Sequence, residues 1–319
     1  MKISGFSMGK NALKLYYPMK QSVMSIIPLV DEFIIALGDS DEDDKTKEEL
    51  LSIGSEKIRI IDTKWDIEEY PRGMEHAHQT DIAKSYCKGD WLFYLQSDEV
   101  IHESDLPVIK SRCEELFDNQ EVEGLLFNYR HFWGDYDHYQ DGHCWYRKEI
   151  RIIRNKPDIH SWESAQSFRR IPGFNGLNYR QQENTYKLKV AEVDAWVYHY
   201  GWVRPPSLMQ SKIKVFSINH RGRESVDHQD KLRMYDNVFD YANLSYLRVF
   251  KGNHPEVMKE WIEQFNWQDQ LRFKGPALSY NPVRNKQERF KYRLLSWIEK
   301  NLLFGKRIGE FKNYKLLKV

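Results

Sequence analysis

The sequence predicts an α/β fold: a mostly parallel sheet flanked by helices, followed by a C-terminal helical extension. Three observations lead there. Short apolar runs bounded by turn residues alternate with charged, Leu-containing stretches through the N-terminal third, the pattern of strands interleaved with covering helices. Acidic and polar residues stand directly after two of those runs, where open α/β sheets collect their ligands. From Pro205 onward the apolar spacing becomes helical, with breaks near Gly252–Pro255 and Gly275–Pro282.

The elements follow in order. Phe33–Leu37 and Ile58–Ile61 are short and rich in β-branched or aromatic residues, and they read as buried strands. Asp44–Ile53, between them, reads as a short helix stopped by Gly54. Thr80–Cys87 reads as a second helix ending at Lys88-Gly89-Asp90, after which Trp91–Leu95 is a strongly apolar strand running straight into Gln96-Ser97-Asp98-Glu99. Pro107–Phe117 is expected to be helical. Gly124–Phe132 alternates as a strand does, and Glu149–Ile153 and Ala195–Tyr200 resemble more of the same sheet. Gly134–Cys144, with three Asp, two His and two Tyr, reads as a polar loop.

Composition narrows the function classes. A chain of 319 residues holds one large domain plus an appendage. Lys and Arg (48) nearly cancel Asp and Glu (47), which argues against nucleic acid as a partner. The charge is unevenly spread: Arg284–Val319 carries eleven Lys/Arg against three acids, and Asp39–Glu49 carries seven acids against two Lys. Cys87, Cys113 and Cys144 have neither disulfide-framework nor zinc-site spacing, which suits a reducing compartment. Met1–Tyr17 lacks the apolar core of a signal peptide, and no apolar run is long enough to cross a bilayer. The expected location is the cytoplasm, at most peripheral at the inner face of the membrane. Ten Trp and 19 Tyr suit carbohydrate or nucleobase surfaces as well as cores.

Gly89-Asp90-Trp91, an apolar strand and a Ser-Asp-Glu turn together resemble the G-D-W…D-A-D-E block of family-2 glycosyltransferases of bacterial type. Asp31–Ser40, ending in Asp43-Asp44-Lys45-Thr46, resembles that family's V-D-D-G-S-x-D-x-T segment. His199-Tyr200-Gly201-Trp202-Val203-Arg204-Pro205-Pro206, with Met209 and Lys212 following, resembles the H-Y-G-W-x-R-x-P…M…K ending of a bacterial subset. The resemblance covers residues 1–205 and is specific at Gly89–Glu99 and His199–Pro206. It implies a GT-A-type domain over 1–205, with a Rossmann-like donor-binding half over 1–105, an acceptor half over 106–205, and a helical region with a basic tail over 206–319.

The resemblance also implies roles. Asp98 matches the family's metal-binding aspartate, and His199 is implied as a further ligand to Mn²⁺ or Mg²⁺ or as a diphosphate contact. Gln96 stands where the family has the first acid of D-x-D and brings no charge. Ser7, Lys10 and Asn11 form the first nucleotide loop, and Asp39 accepts from the base or ribose. Asp81 falls where the family has a donor-supporting Asn, and Arg204 and Lys212 are positioned for phosphate oxygens. Purely structural roles are open to the same residues: Asp39 and Ser40 capping the next helix, Asp98 in a capping turn, His199 satisfied in the core. The base that takes the acceptor proton is assigned to Glu163, with Asp135, Asp137 and Asp158 as rivals. Trp162 and Trp133 are candidates to stack on sugar, and His76 and His78 invite a metal reading.

The implied function is inverting transfer of a sugar from a UDP- or GDP-sugar to a glycan or lipid-linked acceptor, in glycan or cell-surface polysaccharide synthesis. A catalytically inactive binding protein derived from a transferase is an alternative. A sugar-phosphate nucleotidyltransferase is a weaker one, since Ser7-Met8-Gly9-Lys10 carries one glycine where a phosphate loop needs several. Phe290–Phe304 reads either as a helix packed on the domain with solvated lysines or as a basic amphipathic helix making peripheral membrane contact.

Overall fold

The computed structural model describes residues 1–224, 226–227, 238–275, 289–304, 306–310 and 312–319. Strand β1 (Ile3–Gly9) leads through helix α1 (Met19–Ile26) to β2 (Glu32–Leu37), α2 (Thr46–Leu51), β3 (Ile58–Asp62), α3 (Met74–Ser85) and β4 (Trp91–Tyr94). Then come β5 (Glu99–Ile101), α4 (Leu106–Glu115), β6 (Gly124–Trp133), β7 (His138–Gln140), β8 (Lys148–Arg154), β9 (Ile159–Trp162), β10 (Ser167–Arg170) and the long β11 (Tyr186–Trp202). Helix α5 (Pro206–Arg221), β12 (Arg248–Val249), α6 (Lys259–Ile262), α7 (Phe290–Asn301) and β13 (Tyr314–Leu316) complete the chain.

The main path through the sheet is β3-β2-β1-β4-β8-β6-β11-β10-β9. Its first four strands are parallel, and β8 joins β4 antiparallel. This is the expected α/β class, a parallel four-strand part continuing into a mixed part. The sheet as a whole is mixed: β11 runs parallel to β6 and β13 and antiparallel to β5 and β10.

The local reasons are visible in the residues. Strand β2 is buried on both faces, so its sequence is a continuous apolar run rather than an alternating one. One face packs Val23 and Ile26 of α1 and Ile109 and Cys113 of α4 on Phe33, Ile35, Phe93 and Phe127. The other packs Ala83 of α3 and Phe168 of β10 on Phe6, Ile34 and Tyr94. Behind the strand ends, Glu99 and Arg151 form a fully buried bidentate pair with N–O distances of 2.7 and 2.8 Å. The Tyr129 hydroxyl also donates to Glu99 at 2.8 Å, so β5, β6 and β8 meet at one satisfied charge pair.

Several elements differ from expectation. Helix α3 begins at Met74, taking in the stretch from Met74 to Asp81. The segment Gly134–Cys144 is not all loop: the Asp135 carboxylate accepts from the backbone N–H groups of Asp137 and His138, turning the chain into β7. Helical structure after Pro205 is confined, among the described residues, to α5, residues 223–224 and 226–227, α6, α7 and short 3₁₀ turns. Residues 238–275 are held instead by an aromatic cluster that joins Phe239, Tyr241, Trp261 and Trp267 to Trp133, Tyr136 and Tyr200. The break expected at Gly275–Pro282 lies, beyond Gly275, outside the described residues.

Candidate active site

Strands β1, β2 and β4 are parallel, so their carboxyl ends deliver three loops to one edge: Lys10–Ala12, Gly38–Asp44 and Gln96–Asp98. The first two are laced together. The Asn11 N–H donates to Ser40 Oγ at 2.9 Å, and Asn11 Oδ1 accepts from the Asp41 N–H at 2.7 Å, with Asn11 at a positive φ of 52°. Asp39 accepts from Lys10 Nζ at 2.7 Å and from the Trp65 N–H at 3.0 Å, and its carboxylate stays open to solvent beside the Trp65 ring. Burial works to raise the Asp39 carboxyl, but Lys10 and the Trp65 N–H outweigh it and hold it below the ordinary carboxylate value. Ser7 is inside the sheet, donating its hydroxyl to Leu95 O at 2.6 Å.

At the third loop, Asp98 is buried. Its Oδ2 lies 3.7 Å from His199 Nε2 and 3.5 Å from Lys212 Nζ. The imidazole's protonation follows from its neighbours. His131 Nε2 is 2.8 Å from the Tyr146 carbonyl, which can only accept, so Nε2 carries the hydrogen. Burial holds His131 well below the ordinary imidazole value, so it is neutral and its Nδ1 is an acceptor. Burial lowers His199 as well, so it too is neutral; its Nδ1, 3.0 Å from His131 Nδ1, must therefore donate, which leaves the Nε2 lone pair facing Asp98.

Two acceptors thus face each other across a gap too wide for a hydrogen bond, an arrangement that a bound cation satisfies. The gap is kept open by Gly201: a Cβ there would sit 2.5 Å from Asp98 Oδ2 and 2.6 Å from His199 Nε2. An oxygen and a neutral imidazole nitrogen are ligands that Mn²⁺ and Mg²⁺ accept, so the residues fit the implied ion, with substrate oxygens left to complete its shell. Among the described residues no group of three or more His, Cys, Asp or Glu is set to hold a metal. Burial opposes the Asp98 charge, yet the neighbouring cations Lys212 and Arg204 help hold its carboxyl below the ordinary value. Burial and the neighbouring Arg204 bring Lys212 down to about 7.

The remaining expected residues fall in three places. Gln96 joins this edge to the β9–β10 turn, its amide donating to Ala165 O at 2.9 Å. Glu163 lies in the β9–β10 turn at a positive φ of 55°, with Arg180 3.6 Å from its carboxylate. It lines a cavity of about 320 Å³ together with Trp145, Tyr146, Glu149, Gln166 and Arg307. Tyr146 connects this cavity to the Asp98 cluster, since its carbonyl is the partner of His131.

Arg204 is turned inward, donating to Leu15 O and to Gly201 O and stacking on Tyr17, so the phosphate contact implied for it is not available to its side chain. Asp81 is likewise not at the strand-end loops: its carboxylate takes the His160 ring at 2.7 Å and the Ser161 N–H at 2.8 Å. Asp135 is occupied by His138, and Asp158 lies 3.4 Å from Arg170. Trp133 is buried with its indole N–H on Tyr241 O, and Trp162 is buried under Arg169. His76 packs on Trp65, and His78 stacks on Tyr70.

No protein-family model matches the chain, and no curated protein matches it. Among solved structures, S. aureus TarS 1–349 is similar at 12% identity over 69% of this chain and 65% of that one, with a TM-score of 0.36. That protein has also been solved in complex with UDP. Glucosyl-3-phosphoglycerate synthase from Mycobacterium tuberculosis, in complex with Mn²⁺, UDP and phosphoglyceric acid, is similar at 17% identity over 40% of this chain and 43% of that one, with a TM-score of 0.28. The chain thus spans less than two thirds of the length of each.

Four contributors to the site are not evident in the sequence: His131, Gly201, Trp65 and Glu149. His131 sits in an alternating, largely apolar strand, and only the parallel register that sets it opposite His199 reveals its use. Gly201 is visible as part of the His-Tyr-Gly-Trp motif but not as a spacer.

Proposed function

We propose that the chain is a glycosyltransferase that moves a sugar from a nucleoside diphosphate-sugar to an acceptor hydroxyl with inversion at the anomeric carbon. One observation carries the reading: the carboxylate of Asp98 and the bare Nε2 of His199 face each other across Gly201 at the carboxyl edge of a parallel sheet. A diphosphate bound there finds a seat for Mn²⁺ or Mg²⁺, which when bound offsets the negative charge on the departing nucleotide. Asp98 and His199 hold that position, and Lys212 adds a further cation beside it. Asp39, Asn11 and Ser40 frame the nucleoside, with Trp65 offering an aromatic wall. Glu163 takes the proton of the acceptor hydroxyl as its oxygen bonds to the anomeric carbon. The bond from that carbon to the diphosphate oxygen breaks, and its electron pair leaves with the nucleotide. The acceptor belongs in the cavity lined by Trp145, Tyr146 and Glu163, whose aromatic and carboxylate groups suit a glycan or the sugar of a lipid-linked acceptor.

Cys87, Cys113 and Cys144 are all thiols, which suits a reducing compartment such as the cytoplasm. Among the described residues no helix is long and apolar enough to cross a membrane. The test is donor hydrolysis: purified protein with UDP- and GDP-sugars and Mn²⁺ is expected to release nucleotide slowly from one of them, and Asp98→Ala to abolish that release. Nucleotide binding without turnover, equal in the wild type and in Asp98→Ala, would overturn the proposal.

A further inference from the structure

Among the described residues, helix α7 is anchored through the face that carries Glu299, with Arg293 on one flank lying over the Tyr246 ring at 4.7 Å. Its single acid, Glu299, is buried and holds the His143 ring at 2.5 Å and the Ile308 N–H at 2.9 Å, while Ser296 Oγ accepts from the His143 N–H at 2.9 Å. Opposite Glu299, Phe290, Leu294 and Trp297 recur at i, i+4 and i+7, and Phe304 follows just beyond the helix end. All four point away from the protein, with Phe290 78%, Trp297 54% and Phe304 95% exposed. Lys291 flanks the stripe on one side, and Arg293 and Lys300 flank it on the other.

Single exposed apolar residues are ordinary on a soluble surface, but four large ones in register along a helix are not. Two kinds of surface would cover such a stripe, an apolar protein face or a bilayer, and the charges choose between them. Every charged side chain of α7 that reaches solvent is cationic, because the one carboxylate is turned inward to His143. A stripe of Trp, Phe and Leu bordered by Lys and Arg matches the boundary where acyl chains meet anionic headgroups. The segment after α7 then runs along the acceptor-side cavity through Arg307, Ile308 and Gly309. A protein seated by this helix therefore holds that cavity close to the lipid surface.

We infer that α7 docks the protein onto an anionic lipid bilayer, with Phe290, Leu294, Trp297 and Phe304 entering the headgroup–acyl boundary and Lys291, Arg293 and Lys300 meeting the headgroups. The inference stands apart from the sugar-transfer reading, since docking is measured without donor or acceptor.

The experiment is co-sedimentation of the full chain with phosphatidylcholine vesicles with and without phosphatidylglycerol. The wild type partitions to the anionic vesicles and is released by added salt. Phe290→Ser/Trp297→Ser/Phe304→Ser and, separately, Lys291→Glu/Lys300→Glu each weaken partitioning roughly tenfold or more. Because these side chains are exposed, the thermal midpoint of both variants stays at the wild-type value, which separates lost docking from lost folding. Equal partitioning of the wild type and the triple Ser variant overturns the proposal. So does a triple Ser variant that turns a dimer into a monomer in sedimentation equilibrium while vesicle binding is unchanged, for then a second copy covers the stripe.

Discussion

Gly201→Ala tests the cation seat by volume alone. The added methyl carbon would lie 2.5 Å from Asp98 Oδ2 and 2.6 Å from His199 Nε2, where an ordinary contact begins at 3.4 Å. Each polar atom must therefore retreat by close to ~1 Å, and neither moves freely. The Asp98 carbonyl accepts from the Tyr200 N–H at 2.8 Å, and the His199 ring is tied through Nδ1 to His131. Overfilling a packed position of this kind costs about 1–3 kcal/mol of stability. Disturbing the orientation of two would-be ligands lowers metal affinity by roughly 10–100-fold, equivalent to about 1.4–2.7 kcal/mol. The assay is calorimetric titration of UDP or GDP in the presence of Mn²⁺, with thermal unfolding of the same samples. Asp98→Asn is the companion variant: it keeps the volume, removes the charge, and is expected to lose the metal-dependent heat without the steric penalty. Nucleotide affinity in Gly201→Ala equal to wild type in Mn²⁺, alongside a lowered unfolding midpoint, would refute the reasoning, because the gap would then be a packing feature and not a seat.

Three further outcomes follow from the same structure. Glu99→Gln strands the Arg151 guanidinium in the core and is expected to cost about 3–5 kcal/mol in urea unfolding, with much of it regained in Glu99→Gln/Arg151→Met; a loss below ~1 kcal/mol would show the pair to be dispensable. His76 and His254 are each pushed down to about 4, chiefly by burial, so both are neutral in the native state and take up a proton more readily when unfolded. Their contribution is present above the unfolded value near ~6.5 and is lost as pH falls toward 4, on the order of 3 kcal/mol apiece, so urea midpoints should fall across that window and His76→Gln/His254→Gln should flatten the fall. For the proton acceptor, Glu163→Gln is expected to lower kcat by ~10²–10⁴ with little change in donor KM. Glu149→Gln should lower it less, since Glu149 already accepts from Ser167 at 2.7 Å, and the reverse order in single-turnover rates would reassign the base.

The parallel part of the sheet is legible in the sequence because parallel strands covered on both faces must be apolar throughout, and the loops after them must be polar. Phe33–Leu37 and Trp91–Leu95 announce themselves in that way, and Asp39 and Asp98 follow directly. The first half of β11 is harder to read, since Lys187, Lys189, Glu192 and Asp194 leave no continuous apolar run, and its place is set by pairing with β10, β13 and β6. Arg204 misleads for a related reason. A guanidinium after a strand end reads as a phosphate ligand, whereas here two backbone carbonyls and the Tyr17 ring draw it inside. The 238–275 region reads as helical from its apolar spacing, yet its aromatics fill places in one cluster that no local period records.

The amide at position 96 is where the sequence and the geometry bear on each other most directly. Gln96 Nε2 donates to the carbonyl of Ala165 at 2.9 Å, and Arg151 donates to the carbonyl of Gln166 at 2.9 Å, so two donors hold the turn that carries Glu163. That turn has Glu163 and Ala165 both at positive φ, a conformation that needs such support. An aspartate or glutamate at 96 would set a carboxylate against the Ala165 carbonyl, acceptor against acceptor, and would loosen the turn. On the proposed function, the first acid of the resembled family's motif is replaced by a donor that couples the nucleotide edge to the acceptor edge. The ligand lost by that trade reappears on β11, where His199 turns a bare nitrogen toward Asp98 from the far side of the gap. On that reading, a second ligand from a different strand keeps the cation seat while position 96 aligns Glu163, so a departure from the motif does not by itself argue against the proposed transfer.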